Sequence, residues 1–155
     1  MKINESYIAG SSRMAMPWGT TENDPGANQG ANLAIWAEAM WFPAILLTDP
    51  RVHWNAVDDV TATLRVPFGN RTETFVARFD PQTDLLQYLE SMRIKIDTKV
   101  LWLNEARAWG DLAGFTVLKS SAVIWMDDGK PWANFEVEEI VLNADVSQTI
   151  GRTGL

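Results

Sequence analysis

The run 31–47, Ala-Asn-Leu-Ala-Ile-Trp-Ala-Glu-Ala-Met-Trp-Phe-Pro-Ala-Ile-Leu-Leu, carries one charge, Glu38, and places apolar residues on nearly every face of a helix. Such a helix is buried either in protein or in a bilayer. A bilayer span needs about 20 apolar residues. This run is shorter, holds Glu38, and is interrupted by Pro43, which removes a backbone donor and clashes with the turn before it. The expectation is therefore a buried helix kinked at Pro43, with Asn28 as its N-cap and Asp49-Pro50 as its stop. The preceding segment 19–30, rich in Thr, Asn, Asp, Pro and Gly, reads as a mobile loop.

A buried helix needs a cover, and the flanking sequence supplies one with a period of two. Upstream, residues 2–18 read as two short strands interrupted at Gly10. Downstream, Val52, Trp54 and Ala56 alternate with more polar neighbours, as do Leu64, Val66 and Phe68, then Phe75, Ala77 and Phe79. Gly69-Asn70 and Asp127-Asp128-Gly129 mark hairpins, and Asp80–Asp84 marks another turn. Runs 85–96, 100–109, 115–126 and 132–142 complete the strands, the last with a bulge expected at Glu138-Glu139. Short turns permit only antiparallel pairing. The fold class is thus α+β and mainly β: a curved antiparallel meander, a half-barrel, around one apolar helix over 31–47. One domain spans 1–155, with 146–155 as a tail.

Composition narrows the function. A net charge of −7 with scattered Lys and Arg excludes a phosphate-backbone ligand, so no nucleic-acid partner is expected. Cys is absent and His53 is the one histidine, which removes sulfur-based metal sites and His pairs; neither metal nor cofactor is expected. The N-terminus lacks a signal-peptide pattern, which leaves the cytoplasm as the default compartment. Nucleophile elbows and Gly-rich phosphate loops are also missing, so a binding role is favoured over an enzymatic one.

The string Glu38-Ala39-Met40-Trp41-Phe42-Pro43-Ala44-Ile45-Leu46-Leu47, followed by Val52-His53-Trp54 and Asp58-Asp59, resembles the signature of an uncharacterised bacterial family, a domain of unknown function with a Glu-Ala-x-Trp-x-Pro-x-x-Leu-Leu helix. Glu5-Ser6-Tyr7-Ile8-Ala9-Gly10, Arg78-Phe79-Asp80, Gly129 and Trp132 extend the match. The resemblance implies a half-barrel like that of the bacterial lipoprotein carriers, with the helix in its mouth. Family members carry a further β segment ahead of the Tyr-x-x-Gly strand, and a second Gly where this chain has Ser12. No site residues transfer.

Eight Trp are the compositional outlier. Trp buries much apolar surface while its N–H demands a partner, which suits thick cores, clefts and interfaces. Trp36, Trp41, Trp54 and Trp102, with Glu38, are the candidate binding residues, bordering an apolar cleft for a small hydrophobic molecule or an apolar partner segment. Two rival readings stand beside this: a self-associating protein, a homodimer across the helix-bearing face, and a small acid/base enzyme. Glu38 is the candidate catalytic group of the latter, because desolvation raises a carboxyl pKa. His53 falls on the outward phase of its strand, and Asp58-Asp59 reads as turn chemistry rather than a cation site.

Overall fold

A computed structural model describes residues 4–112, 114–145 and 147. The expected N-terminal residues 2–3 and all of the 146–155 tail except Ser147 lie outside them. The chain opens with a three-stranded antiparallel sheet, β1 (Asn4–Ile8), β2 (Ser11–Met16) and β3 (Gly19–Glu22), in the order β1-β2-β3. Ala9 and Gly10, with φ of 50° and 87°, make the tight turn between the first two. The segment expected to begin a mobile loop at Gly19 is therefore a third strand.

The helix begins earlier than its apolar residues do. Helix α1 spans Pro25–Glu38, with Asp24 rather than Asn28 as N-cap: the Asp24 carboxylate accepts from the Ala27 amide at 2.8 Å, and Pro25 occupies the first helical position. Gly26, Asn28, Gln29 and Gly30 read as loop residues but are packing residues. A Cβ on Gly26 would lie 3.1 Å from Ile94 Cγ2, and one on Gly30 would lie 3.0 Å from the Arg93 guanidinium, so the glycines let the helix lie close to the sheet. Asn28 Oδ1 accepts from both the Ser12 amide and hydroxyl, at 2.7 and 2.8 Å. Gln29, 3% exposed, donates to Glu73 and to the Met92 carbonyl and accepts from the Ile94 amide at 2.9 Å.

The single kinked helix is in fact two. α1 ends at Glu38, and a short α2 spans Ala44–Thr48. Between them, the amides of Met40, Trp41 and Phe42 donate to carbonyls three residues back, each at 3.0 Å, a tightened turn that closes before Pro43. Not all of the apolar run is buried. Leu33, Trp36, Ala37 and Leu46 are, whereas Ile35, Phe42, Ile45 and Leu47 are exposed.

Seven strands follow in sequence order, forming one antiparallel sheet: β4 (His53–Ala56), β5 (Thr61–Phe68), β6 (Arg71–Phe79), β7 (Leu86–Lys95), β8 (Thr98–Leu112), β9 (Phe115–Trp125) and β10 (Lys130–Glu136). The sheet is open and does not close into a barrel. Alternation places Leu64 and Val66, Phe75 and Ala77, Leu89 and Ser91, and Trp102 and Asn104 on one buried face. Register pairs Leu64 with Phe75, Ala77 with Leu89, and Ser91 with Trp102 across it. α1 lies against this face over β7 and β5, and touches β1 and β2. Register shifts interrupt β6, β8 and β10. In β10 the irregularity falls at Trp132, between Pro131 and Ala133, and the strand ends at Glu136; no bulge occurs at Glu138-Glu139, where pairing has already stopped.

Candidate functional site

The four candidate Trp do not converge on one cleft; the break between α1 and α2 distributes them over three. Trp36, largely buried, borders a groove with Tyr7, Asn32 and Arg51. Trp54 borders a second space, beneath the helix break. Glu38, Trp41 and Trp102 share a third. These last two spaces meet at Met40, which is 3% exposed and lines both.

The space beneath the break has a volume of about 300 Å³ and is walled by Met40, Pro43, Leu46, Leu47, Trp54, Phe79, Leu86 and Trp109. Its two indoles are turned outward chemically: Trp54 Nε1 donates to the Leu46 carbonyl at 2.9 Å, and Trp109 Nε1 to the Leu86 carbonyl at 3.0 Å. Both polar handles being used within the fold, the rings offer only apolar surface to the cleft. Trp54 also meets the Phe79 ring at 6.4 Å. At the opening, Leu47 is 78% exposed.

The neighbouring cavity, about 200 Å³, differs in kind. Trp41, Trp102, Trp132 and Phe135 contribute aromatic surface, and Glu5, Glu38 and Arg93 contribute charge. Trp41 and Phe135 meet edge to face at 5.6 Å. Among the described residues, the indole N–H groups of Trp41 and of Trp102 have no hydrogen-bond acceptor. Arg93 is half-buried, its guanidinium carbon 4.6 Å from the Trp102 ring centre and 5.4 Å from that of Trp125. Burial pushes its pKa down, opposed by the Glu5 charge. Glu38 is exposed as a residue, yet burial of its carboxyl pushes its pKa up, and Glu5 adds to the rise. Neither Glu5 nor Glu38 has an ion pair within 4.0 Å among the described residues.

A general acid or base needs a polar partner to orient it. Among the described residues Glu38 has no hydrogen-bond partner, so the geometry adds nothing to the enzyme reading. His53 is exposed. The Asp58 carboxylate accepts from the Val60 amide at 3.0 Å, a turn bond that also holds its pKa low. Tyr7, Asn32 and Trp36 supply no charge of their own, and the Tyr7 hydroxyl donates to Asn32 Oδ1 at 3.3 Å.

Several lining residues were not among the candidates read from the sequence. Arg93 shares the inward phase of Leu89 and Ser91 in β7, so an arginine at an inward position was its legible signal. Met40 and Trp132 stood only in the family-like strings, and Trp109 and Phe135 had no signal beyond being apolar, because their meeting depends on the break before Pro43 and on the shifts in β8 and β10.

The architecture is that of a mainly β protein with two antiparallel sheets and a helix laid across the larger one. The chain belongs to the Family of unknown function (DUF6544), whose family model matches residues 1–137. No curated protein and no solved structure matches it, so the likeness to lipoprotein carriers has no support from a structural relative. Among the described residues no helix is long and apolar enough to cross a membrane.

Proposed function

We propose that this chain is a single-domain, non-enzymatic binding module that takes a small hydrophobic molecule into the cleft beneath the helix break. The observation that carries this reading is the state of the cleft's own polar groups. Trp54 and Trp109 both spend their N–H on backbone carbonyls, which leaves about 300 Å³ bounded by apolar atoms. That volume is at the lower end of the roughly 300–1,000 Å³ typical of ligand sites. Trp54 alone of the sequence candidates lies in this cleft; Glu38, Trp41 and Trp102 belong to the cavity across Met40, and Trp36 supports the fold.

The test is fluorine NMR of protein labelled with fluorotryptophan, titrated with toluene. Saturable shifts of Trp54 and Trp109, with Trp18 unmoved, are expected. Leu47→Glu, which places a charge at the opening without touching the core, abolishes them. Absence of saturable shifts at Trp54 and Trp109 contradicts the proposal.

A second reading has its own observation. Phe42 (61%) and Leu47 (78%), on either side of Pro43, are large exposed apolar groups of the kind a second copy covers. Sedimentation at increasing concentration tests it: a dimer lost in Phe42→Glu supports self-association, and a monomer throughout removes it.

A further inference from the structure

Two enclosed groups of the cavity beside Met40 lack what their chemistry requires. Trp102, 3% exposed, and Trp41 both line it, and among the described residues neither indole N–H has an acceptor. An enclosed donor left without a partner is unfavourable, and folded proteins leave few of them. The cleft beneath the break differs on this point, because Trp54 and Trp109 there donate to the Leu46 and Leu86 carbonyls. Trp102 lies in the interior of the sheet, paired with Ser91 on one side and Trp125 on the other, where the backbone carbonyls serve the ladder. Trp41 sits on the tightened turn after α1, with its ring against Phe135.

We propose that this cavity is a separate binding site for a compact, uncharged molecule with a carbonyl group, whose oxygen accepts from Trp102 Nε1 and Trp41 Nε1. Unpartnered donors select an acceptor, and among acceptors charge selects the neutral one. An ammonium group would set N–H against N–H. A carboxylate would meet Glu5 and Glu38 in the same lining. The one cation there, Arg93, is already under the influence of the Glu5 charge and lies over the Trp102 and Trp125 rings. A carbonyl oxygen has two lone pairs to offer and brings no charge.

The rest of the lining suits the hydrocarbon part of such a molecule, since Met40, Leu118, Val123, Trp132 and Phe135 are apolar. The volume of about 200 Å³ compares with the ~150 Å³ that holds benzene, so one ring with a short carbonyl substituent is the size that fits. This site stands whether or not the cleft across Met40 takes hydrocarbon.

The experiment follows the indole N–H protons of the full chain by heteronuclear NMR during titration with cyclohexyl methyl ketone at neutral pH. Isopropylcyclohexane and cyclohexanecarboxylate are the controls of matched shape. The Trp41 and Trp102 protons are expected to move downfield together and to saturate, with Trp18, Trp54 and Trp109 staying in place. Isopropylcyclohexane produces no downfield movement. Cyclohexanecarboxylate binds about tenfold more weakly than the ketone, since its charge would be buried beside two others of the same sign. Trp102→Phe and Trp41→Phe each keep a ring and drop a donor, so each weakens the ketone by about tenfold and spares isopropylcyclohexane. The wild-type spectra decide even where a variant fails to fold. Trp41 and Trp102 protons that stay in place, as when enclosed water holds both, overturn the proposal. So does movement confined to Trp54 and Trp109, or a carboxylate that binds as tightly as the ketone.

Discussion

The first half of α1 and the stretch from its last turn through α2 exchange the roles their compositions suggest. Residues 25–32 are small and polar, and they are the better buried: Gln29, Gly30, Ala31 and Asn32 are all enclosed. Residues from Ile35 to Leu47 are overwhelmingly apolar, and Ile35, Phe42, Ile45 and Leu47 face water. Burial is decided by the neighbour across the gap, not by the side chain alone. Gln29 is buried because β7 offers an amide and a carbonyl at the right height, and Gly30 because the backbone must come close. Leu47 is exposed because the break before Pro43 turns α2 at the edge of a cleft that its own residues do not fill.

This contrast can be broken at several points. The largest effect is expected from Leu33→Ala, at the fully enclosed centre of α1, which should cost about 2–5 kcal/mol in urea denaturation. Gln29→Ala comes next. It strips the Ile94 amide of its acceptor and the Met92 carbonyl of its donor, and a loss of about 1–3 kcal/mol should accompany faster hydrogen exchange at Ile94. A hydrophobic-to-polar change in the exposed half, Leu47→Ser, should move stability by less than about 0.5 kcal/mol, although Leu47 is the more hydrophobic residue. A Leu47→Ser loss as large as that of Gln29→Ala would reverse the comparison.

The smallest effect is electrostatic. Glu38 has a raised pKa in the folded protein, from burial first and from Glu5 second. The folded state therefore holds this proton more tightly than the unfolded chain does. Its contribution to stability declines as pH rises from the unfolded carboxyl value, about 4.3, through the folded one. Glu38→Gln removes that decline, so the variant should melt slightly above wild type at neutral pH. The difference should vanish below about pH 4. Asp49 behaves oppositely. Hydrogen bonds from Arg51 lower its pKa to about 2, so the stability it contributes is fully present above the ordinary aspartate value and is lost as pH falls from there through about 2.

These contrasts also mark how far the residues could be read in advance. Antiparallel strands were legible because alternation and turn chemistry agree: Gly69 and Gly129 take the positive φ that their hairpins require, 57° and 64°. The helix start was missed because Asp24-Pro25 was outweighed by a stretch whose glycines and amides serve packing between elements. A helix-to-sheet approach leaves no mark in local sequence. The break was half legible, since Pro43 announced an interruption but not that the turn before it would tighten into separate helices. Grouping Trp36, Trp41, Trp54 and Trp102 in one cleft assumed a continuous helix; once α1 and α2 diverge, Met40 comes to stand between Trp41 and Trp54 as the partition of two spaces.

The apolar cleft beneath that break is most directly tested by X-ray diffraction from crystals held under xenon, which enters dry apolar cavities and little else. Xenon between Met40, Leu46, Trp54 and Trp109 is the expected result. A cleft collapsed by inward movement of Leu47 or Met40, with no xenon against Trp54, would contradict it.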